Sequence, residues 1–157
     1  MTEILVPRQF RGPPFTANGG YICGVLSNAV GGRGVAMLRS GVPLDTTVTL
    51  QPGEDGAVVL VNAEGAVLGS ARPADDSQIP NPPPATPTIE EARAFAAAGQ
   101  FAQKSLHRGC FSCCIEREAG APSIWTPHAN FADADGTSPD EITWGALDCS
   151  APWPARS

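Results

Sequence analysis

Between residues 34 and 72 the chain is cut by glycine, proline, asparagine and aspartate into four short apolar runs about ten residues apart. A segment interrupted that often cannot form long helices, and it reads as strands joined by turns. The runs cover residues 35–39, 46–50, 57–61 and 66–70. Between them lie Gly41-Val42-Pro43-Leu44-Asp45, Gly53-Glu54-Asp55-Gly56 and Asn62-Ala63-Glu64-Gly65, each a turn signal. The spacing predicts an antiparallel meander, with Glu3-Ile4-Leu5-Val6 as a candidate first strand. Whole-chain composition agrees: 17 glycines and 16 prolines among 157 residues are about a fifth of the chain, against ~12% in ordinary proteins. A helical bundle or coiled coil is excluded.

One amphipathic helix precedes these runs. Tyr21, Ile22, Val25, Leu26 and Ala29 fall on one helical stripe within residues 18–29, and Gly31-Gly32 supplies a stop. The stripe is apolar enough to be mostly enclosed, which suits one helix wrapped by a curved sheet. Residues 73–87, with Asp75-Asp76 and Pro80-Asn81-Pro82-Pro83-Pro84, read as a stiff linker between residues 1–72 and residues 88–157. A second helix is predicted from Pro87. There Thr88 and Glu91 have capping-box spacing, Ile89, Ala92, Phe95 and Ala96 share a face, and the end falls near Gly99. Further on, a strand is expected at residues 123–126 and an acidic loop at Asp133-Ala134-Asp135-Gly136. The last helix has Ser138 as N-cap, Pro139 at the first helical position and Asp140 and Glu141 in the first turn. Ile142, Gly145, Ala146 and Cys149 share its inner face, and Pro152 and Pro154 end it.

Charge and cysteine usage narrow the function classes. The net charge is −6 and no basic stripe is present, so nucleic acid is not an expected partner. No apolar run approaches the ~18 residues of a membrane span, and Glu3, Pro7 and Arg8 break the order of a signal peptide. No membrane association and a cytoplasmic location are expected. There the five cysteines stay reduced. Cys110-x-x-Cys113 has the spacing of half a zinc site, with His107, Cys114, His128 or Cys149 as complements. A second such pair is lacking, so plain buried thiols are the simpler reading and no metal or cofactor is assigned.

A constant offset of 121 residues aligns Gly24 with Gly145 and Leu26 with Leu147, a weak internal repeat. A glycine inside a helix costs about 1 kcal/mol relative to alanine, so its recurrence suggests a helix pressed close to a sheet. Pro13-Pro14-Phe15-Thr16-Ala17-Asn18-Gly19-Gly20-Tyr21, followed by Val35-Ala36-Met37-Leu38-Arg39-Ser40-Gly41-Val42-Pro43-Leu44-Asp45, resembles the opening half of thioesterase-like proteins of the hot-dog fold. Cys110-Phe111-Ser112-Cys113, Trp125-Thr126-Pro127 and Trp144-Gly145-Ala146-Leu147-Asp148-Cys149 look like the second half of such two-repeat proteins. The resemblance implies an α+β fold with an antiparallel sheet wrapped around a central helix, and a second repeat cut short after its helix. Without those strands, residues 139–150 are expected to lie against the single N-terminal sheet or to be covered by a second subunit, or the chain is a shortened descendant with no activity. The exposed edges and apolar area favour a homodimer.

The resemblance also implies an acyl thioester as substrate. A thioester hydrolase needs a group that polarises the carbonyl and one that activates or replaces water. The unpaired amides of Gly19, Gly20 and Tyr21 at a helix start are candidates for the first role. Asn18 is a candidate helix cap or substrate ligand. Related thioesterases have a His-Gly-Gly start and an aspartate seven residues on; here Ser27 stands at that acid position, while the last helix has Asp140 and Glu141 for the glycines but keeps Asp148. Each segment thus holds half a site, with Asp148 as general base or nucleophile and Trp144 beside the acyl pocket. The alternative is a module without catalysis that binds an acyl group or another hydrophobic small molecule. A third possibility is a zinc-stabilised interaction protein.

Overall fold

The computed structural model describes residues 1–12, 15–75, 77, 87–97, 125 and 127–150. The cysteine cluster, most of the proline-rich linker, the end of the second helix near Gly99, three of the four residues of the expected strand at 123–126 and the C-terminal prolines lie outside them. Five strands form one antiparallel sheet: β1 (Thr2–Leu5), β2 (Gly34–Leu38), β3 (Thr47–Pro52), β4 (Val58–Val61) and β5 (Val67–Pro73). Three helices accompany them, α1 (Gly19–Ala29), α2 (Ile89–Ala97) and α3 (Asp140–Ser150). The chain is therefore α+β. Among the described residues no helix is long and apolar enough to cross a membrane.

The turns behave as their residues dictate. Asp55 and Gly56 take positive φ between β3 and β4, and Gly65 does so between β4 and β5, where the Asn62 side chain accepts from the Ala66 amide at 2.8 Å. Gly31 and Gly32, both left-handed, stop α1 in open space. The meander expected over all four runs holds only for β3, β4 and β5. The strand order is β1-β3-β4-β5-β2, so β2 pairs with β5, Gly34 opposite Pro73, rather than with β3. The reason lies in the segment between β2 and β3, which crosses the end of the sheet instead of turning back. There Val42, 2% exposed, enters the core and its carbonyl accepts from the Ala17 amide at 2.9 Å. Asp45 leaves with φ of 51° and binds Arg8 twice, through the Arg8 amide at 3.0 Å and Nε at 3.1 Å. The aspartate of the Pro43-Leu44-Asp45 motif thus fixes the N-terminal segment.

Helix α1 lies on one face of the sheet. Ile22 and Leu26 are fully buried with Val48, Leu60, Leu68 and Ala71, and each large side chain so buried contributes about 1.5–3 kcal/mol. On strand β2 the exposure alternates, with Ala36 and Leu38 half-buried and Val35 and Met37 turned outward. The opposite side of α1 is covered by α3. A Cβ on Gly24 would stand 2.5 Å from the Glu141 Cα, and one on Gly20 would run into the Trp144 carbonyl and the Asp148 Cβ. The glycines of α1 therefore let a second helix approach, not the sheet that their recurrence suggested. Ile142, 2% exposed, carries α3 into the shared core.

The remaining helix signals fare differently. Thr88 and Glu91 make the reciprocal capping box at the start of α2: the Thr88 amide donates to Glu91 Oε2 at 2.7 Å and the Glu91 amide to Thr88 Oγ1 at 3.2 Å. The Thr88 amide, and its hydroxyl at 3.0 Å, donate to the Glu91 carboxyl and hold it below its ordinary range. In α3 the Pro139 carbonyl accepts from the Ile142 and Thr143 amides, so the helix opens one residue later than the Ser138 cap implied. The acidic loop is a turn in which Asp135 accepts from the Thr137 amide and hydroxyl.

Candidate active site

The first turn of a helix leaves its leading amides without intrahelical partners, and at α1 each can be followed to its acceptor. The Asn18 amide donates to the Phe10 carbonyl at 2.9 Å, and the Ile22 amide begins the helix proper on the Asn18 carbonyl at 3.2 Å. The Tyr21 amide donates to Asn18 Oδ1 at 2.9 Å, an N-cap bond with the Asn18 backbone extended. The Gly20 amide donates to Asp148 Oδ2, 3.0 Å away and 128 residues on in the chain. The Gly19 amide alone meets no acceptor among the described residues.

The structure therefore joins Gly19, Gly20 and Asp148 in one corner. The Asp148 carboxylate lies over both glycines: its Oδ2 is 3.3 Å from the point where a Gly19 Cβ would sit, and Leu38 Cδ1 is 3.5 Å from that point. The corner exists because α1 and α3 run antiparallel with their backbones almost touching at Gly20, Gly24 and Gly145. Only glycine permits that approach at Gly20, where any side chain would displace the last turns of α3. Asp148 itself is exposed, and no cation pairs with it among the described residues. Its negative charge rests on the positive end of α1. It also acts on Cys23, whose thiol is pushed up by burial and then by Asp148.

Asn18 and Tyr21, candidates for contact with substrate, are both buried here. Asn18 is 2% exposed and caps α1. The Tyr21 ring stacks on Phe10 with centroids 4.3 Å apart, and Phe131 lies tilted against Phe10 at 5.7 Å. Burial, with the Glu141 charge nearby, pushes the Tyr21 phenol up to about 12. The half-buried Trp144 presents its Cβ to Gly24 and its backbone carbonyl to Gly20. Ser27, at the position of an acid in the resembling pattern, is fully buried and donates to the Gly32 carbonyl at 2.9 Å. It closes the end of α1.

At the other end of the helix pair the Asn28 side chain donates to Glu141 Oε2 at 2.9 Å. Sequence reasoning missed this contact, along with the approach of Leu38 to Gly19 and of Cys23 to Asp148. The offset of 121 residues contained the signal, because it sets Glu141 against Gly20 and Asp148 against Ser27. Two antiparallel helices related in that way meet at both pairs of ends. No group of three or more histidine, cysteine, aspartate or glutamate side chains suited to a metal occurs among the described residues. No family model matches the chain, and neither a curated protein nor a solved structure matches it.

Proposed function

We propose that this chain is a hot-dog-type, thioesterase-like protein that hydrolyses an acyl thioester carried by coenzyme A or an acyl-carrier protein. The observation that carries the reading is the 3.0 Å contact between the Gly20 amide and Asp148 Oδ2, which joins a helix-start donor and a carboxylate from distant parts of the chain. A five-stranded antiparallel sheet with α1 on one face is compatible with the fold that the resemblance implies.

The chemistry follows from the two partners. Amides at the start of α1 polarise the thioester carbonyl and hold the negative charge that develops on its oxygen. Asp148 takes a proton from water as the water oxygen bonds to the carbonyl carbon; the carbon–sulfur bond then breaks and the thiolate recovers the proton. Direct attack by Asp148, giving an anhydride that water opens, uses the same placement. Leu38 offers an apolar wall beside the glycines for the acyl chain.

A second reading has an observation of its own. The Gly20 amide already holds the Asp148 carboxylate, as it would in a purely structural cap, and a module that binds an acyl group without cleaving it needs no more. Release of free thiol from a panel of acyl-CoAs separates the two. The hydrolase reading expects turnover in the native chain and a fall of about 100- to 10,000-fold in Asp148→Asn, with the thermal midpoint nearly unchanged. Turnover retained in that variant would remove Asp148 from the mechanism. Stabilisation by acyl-CoA without thiol release would select the binding module.

A further inference from the structure

Strand β2 stands at the end of the sheet order and pairs only with β5 among the described residues. Its ladder runs past the strand at both ends, since the Ala74 amide donates to the Arg33 carbonyl and the Arg39 amide to the Leu68 carbonyl, each at 2.9 Å. Bonded and unbonded positions alternate along an antiparallel pair. Arg33, Val35, Met37 and Arg39 therefore turn their backbone groups toward β5. Gly34, Ala36 and Leu38 turn theirs to the open edge, where no described group bonds to them. Such an edge is ordinarily blunted by a charge, a proline or a bulge. Gly34–Leu38 has none of the three.

The charges lie just outside it. Exposure alternates along the segment: Arg33, Val35, Met37 and Arg39 are exposed, and Gly34, Ala36 and Leu38 are half-buried. The period of two thus sets two apolar side chains between two guanidiniums, about 20 Å from end to end. The exposed Arg72 of β5 lies beside Val35. Three of the ten lysines and arginines of this acidic chain gather along one strand edge. Asp75 lies near Arg72, and no carboxylate pairs with Arg39 among the described residues.

We infer that the open edge of β2 takes up an extended segment of another protein, with apolar residues beside Val35 and Met37 and carboxylates opposite Arg39 and Arg33. This surface is independent of the hydrolase reading. Backbone bonds to Gly34, Ala36 and Leu38 supply the binding, and the side chains on either side select the partner. A second copy of the chain fits this edge poorly. The antiparallel register that pairs all five residues of β2 with those of a copy sets Gly34 against Leu38 and, at both ends, Arg33 against Arg39. Like charges directly opposite are destabilising. An acidic segment turns both repulsions into attractions.

The probe is a fluorophore-labelled peptide with blocked ends, Glu-Thr-Val-Thr-Val-Thr-Glu, titrated into the full chain; its control has lysine at both ends. Anisotropy is expected to show binding of the acidic peptide in preference to the control. Hydrogen exchange read by NMR locates it: the Ala36 amide is expected to exchange freely in the native chain and at least about 10-fold more slowly with the peptide bound. Arg39→Glu, a change at an exposed side chain checked by its thermal midpoint, is expected to weaken the acidic peptide by about 10-fold or more and to favour the control. No binding, equal affinity for the two peptides, or binding that leaves the Ala36 amide unprotected overturns the inference. So does an Ala36 amide already protected in the free chain. Protection that fades on dilution, as sedimentation shows a dimer dissociating, would assign the edge to a second copy; protection that persists in the monomer would assign it to another segment of this chain.

Discussion

The two ends of the α1–α3 seam have the same backbone arrangement and opposite chemistry. At one end Asp148 of α3 meets the glycine amides that open α1; at the other, Glu141 of α3 meets Asn28 near the close of α1. The N-terminus of α3 carries Asp140 and Glu141 where α1 has Gly19 and Gly20, so its own dipole is already answered by local carboxylates. The residue of α1 corresponding to Asp148 is Ser27, sealed against Gly32. Antiparallel packing makes two corners, and residue choice leaves only the first with a donor and an acid together.

The largest expected contrast is catalytic. If the first corner performs the hydrolysis, Asp148→Asn lowers thiol release by about 100-fold or more, whereas Glu141→Gln at the second corner changes it by less than about twofold; equal losses in the two variants would show that the seam acts as a unit. The next contrast concerns the seam itself. Gly24→Ala is expected to destabilise the fold by about 1–3 kcal/mol in urea denaturation, because the added Cβ meets the Glu141 backbone at 2.5 Å and this outweighs the gain of about 1 kcal/mol in helix propensity. A neutral or stabilised variant would mean that α3 readily lifts from α1.

Smaller effects distinguish the two side-chain bonds. Asp148→Ala uncaps the Gly20 amide and is expected to lose about 0.5–1 kcal/mol, while Asn28→Ala, at an exposed contact, should lose less than about 0.5 kcal/mol. The smallest signal comes from titration, since each corner has its own reporter. Tyr21 is the sole tyrosine, so phenolate absorbance reads it directly, with a midpoint expected at about 12. An unfolded tyrosine titrates near 10. The stability linked to the neutral folded phenol is thus fully present below pH 10 and is lost as pH rises toward 12. Glu141→Gln should lower the Tyr21 midpoint without moving the Cys23 thiol, and Asp148→Asn should lower the Cys23 midpoint, followed through its Cβ resonance, without moving Tyr21. Crossed responses would contradict the separation of the corners.

What could be read without coordinates followed the range of the interaction. Local signals were legible: the turns at Gly56 and Gly65, the Asn18 cap, the Thr88–Glu91 box and the stop at Gly31-Gly32 all involve residues within a few positions of each other. The neighbour of β2 was not, because an alternating pattern tells which side chains face inward but not which strand lies alongside. The glycines at 24 and 145 announced a close approach without naming the surface approached, and the sheet was the wrong choice. In the candidate site, the glycine pair and Asp148 were each visible as half of a pattern. Their contact depended on α3 crossing α1 antiparallel, and the unequal fates of the Gly19, Gly20 and Tyr21 amides depended on distances of a few tenths of an ångström.

The sheet order also fixes when parts of the molecule can become stable. β1 pairs with β3, and β2 with β5, so every strand made before residue 47 waits for one made after it. Helix α1 ends at Ala29, while β5, which closes the sheet beneath it, ends at Pro73. At ribosomal speeds of about 5–20 residues per second, the 44 intervening residues take about 2–9 s. Until β5 is made, α1, the most apolar of the described helices, has only an incomplete sheet to lie on.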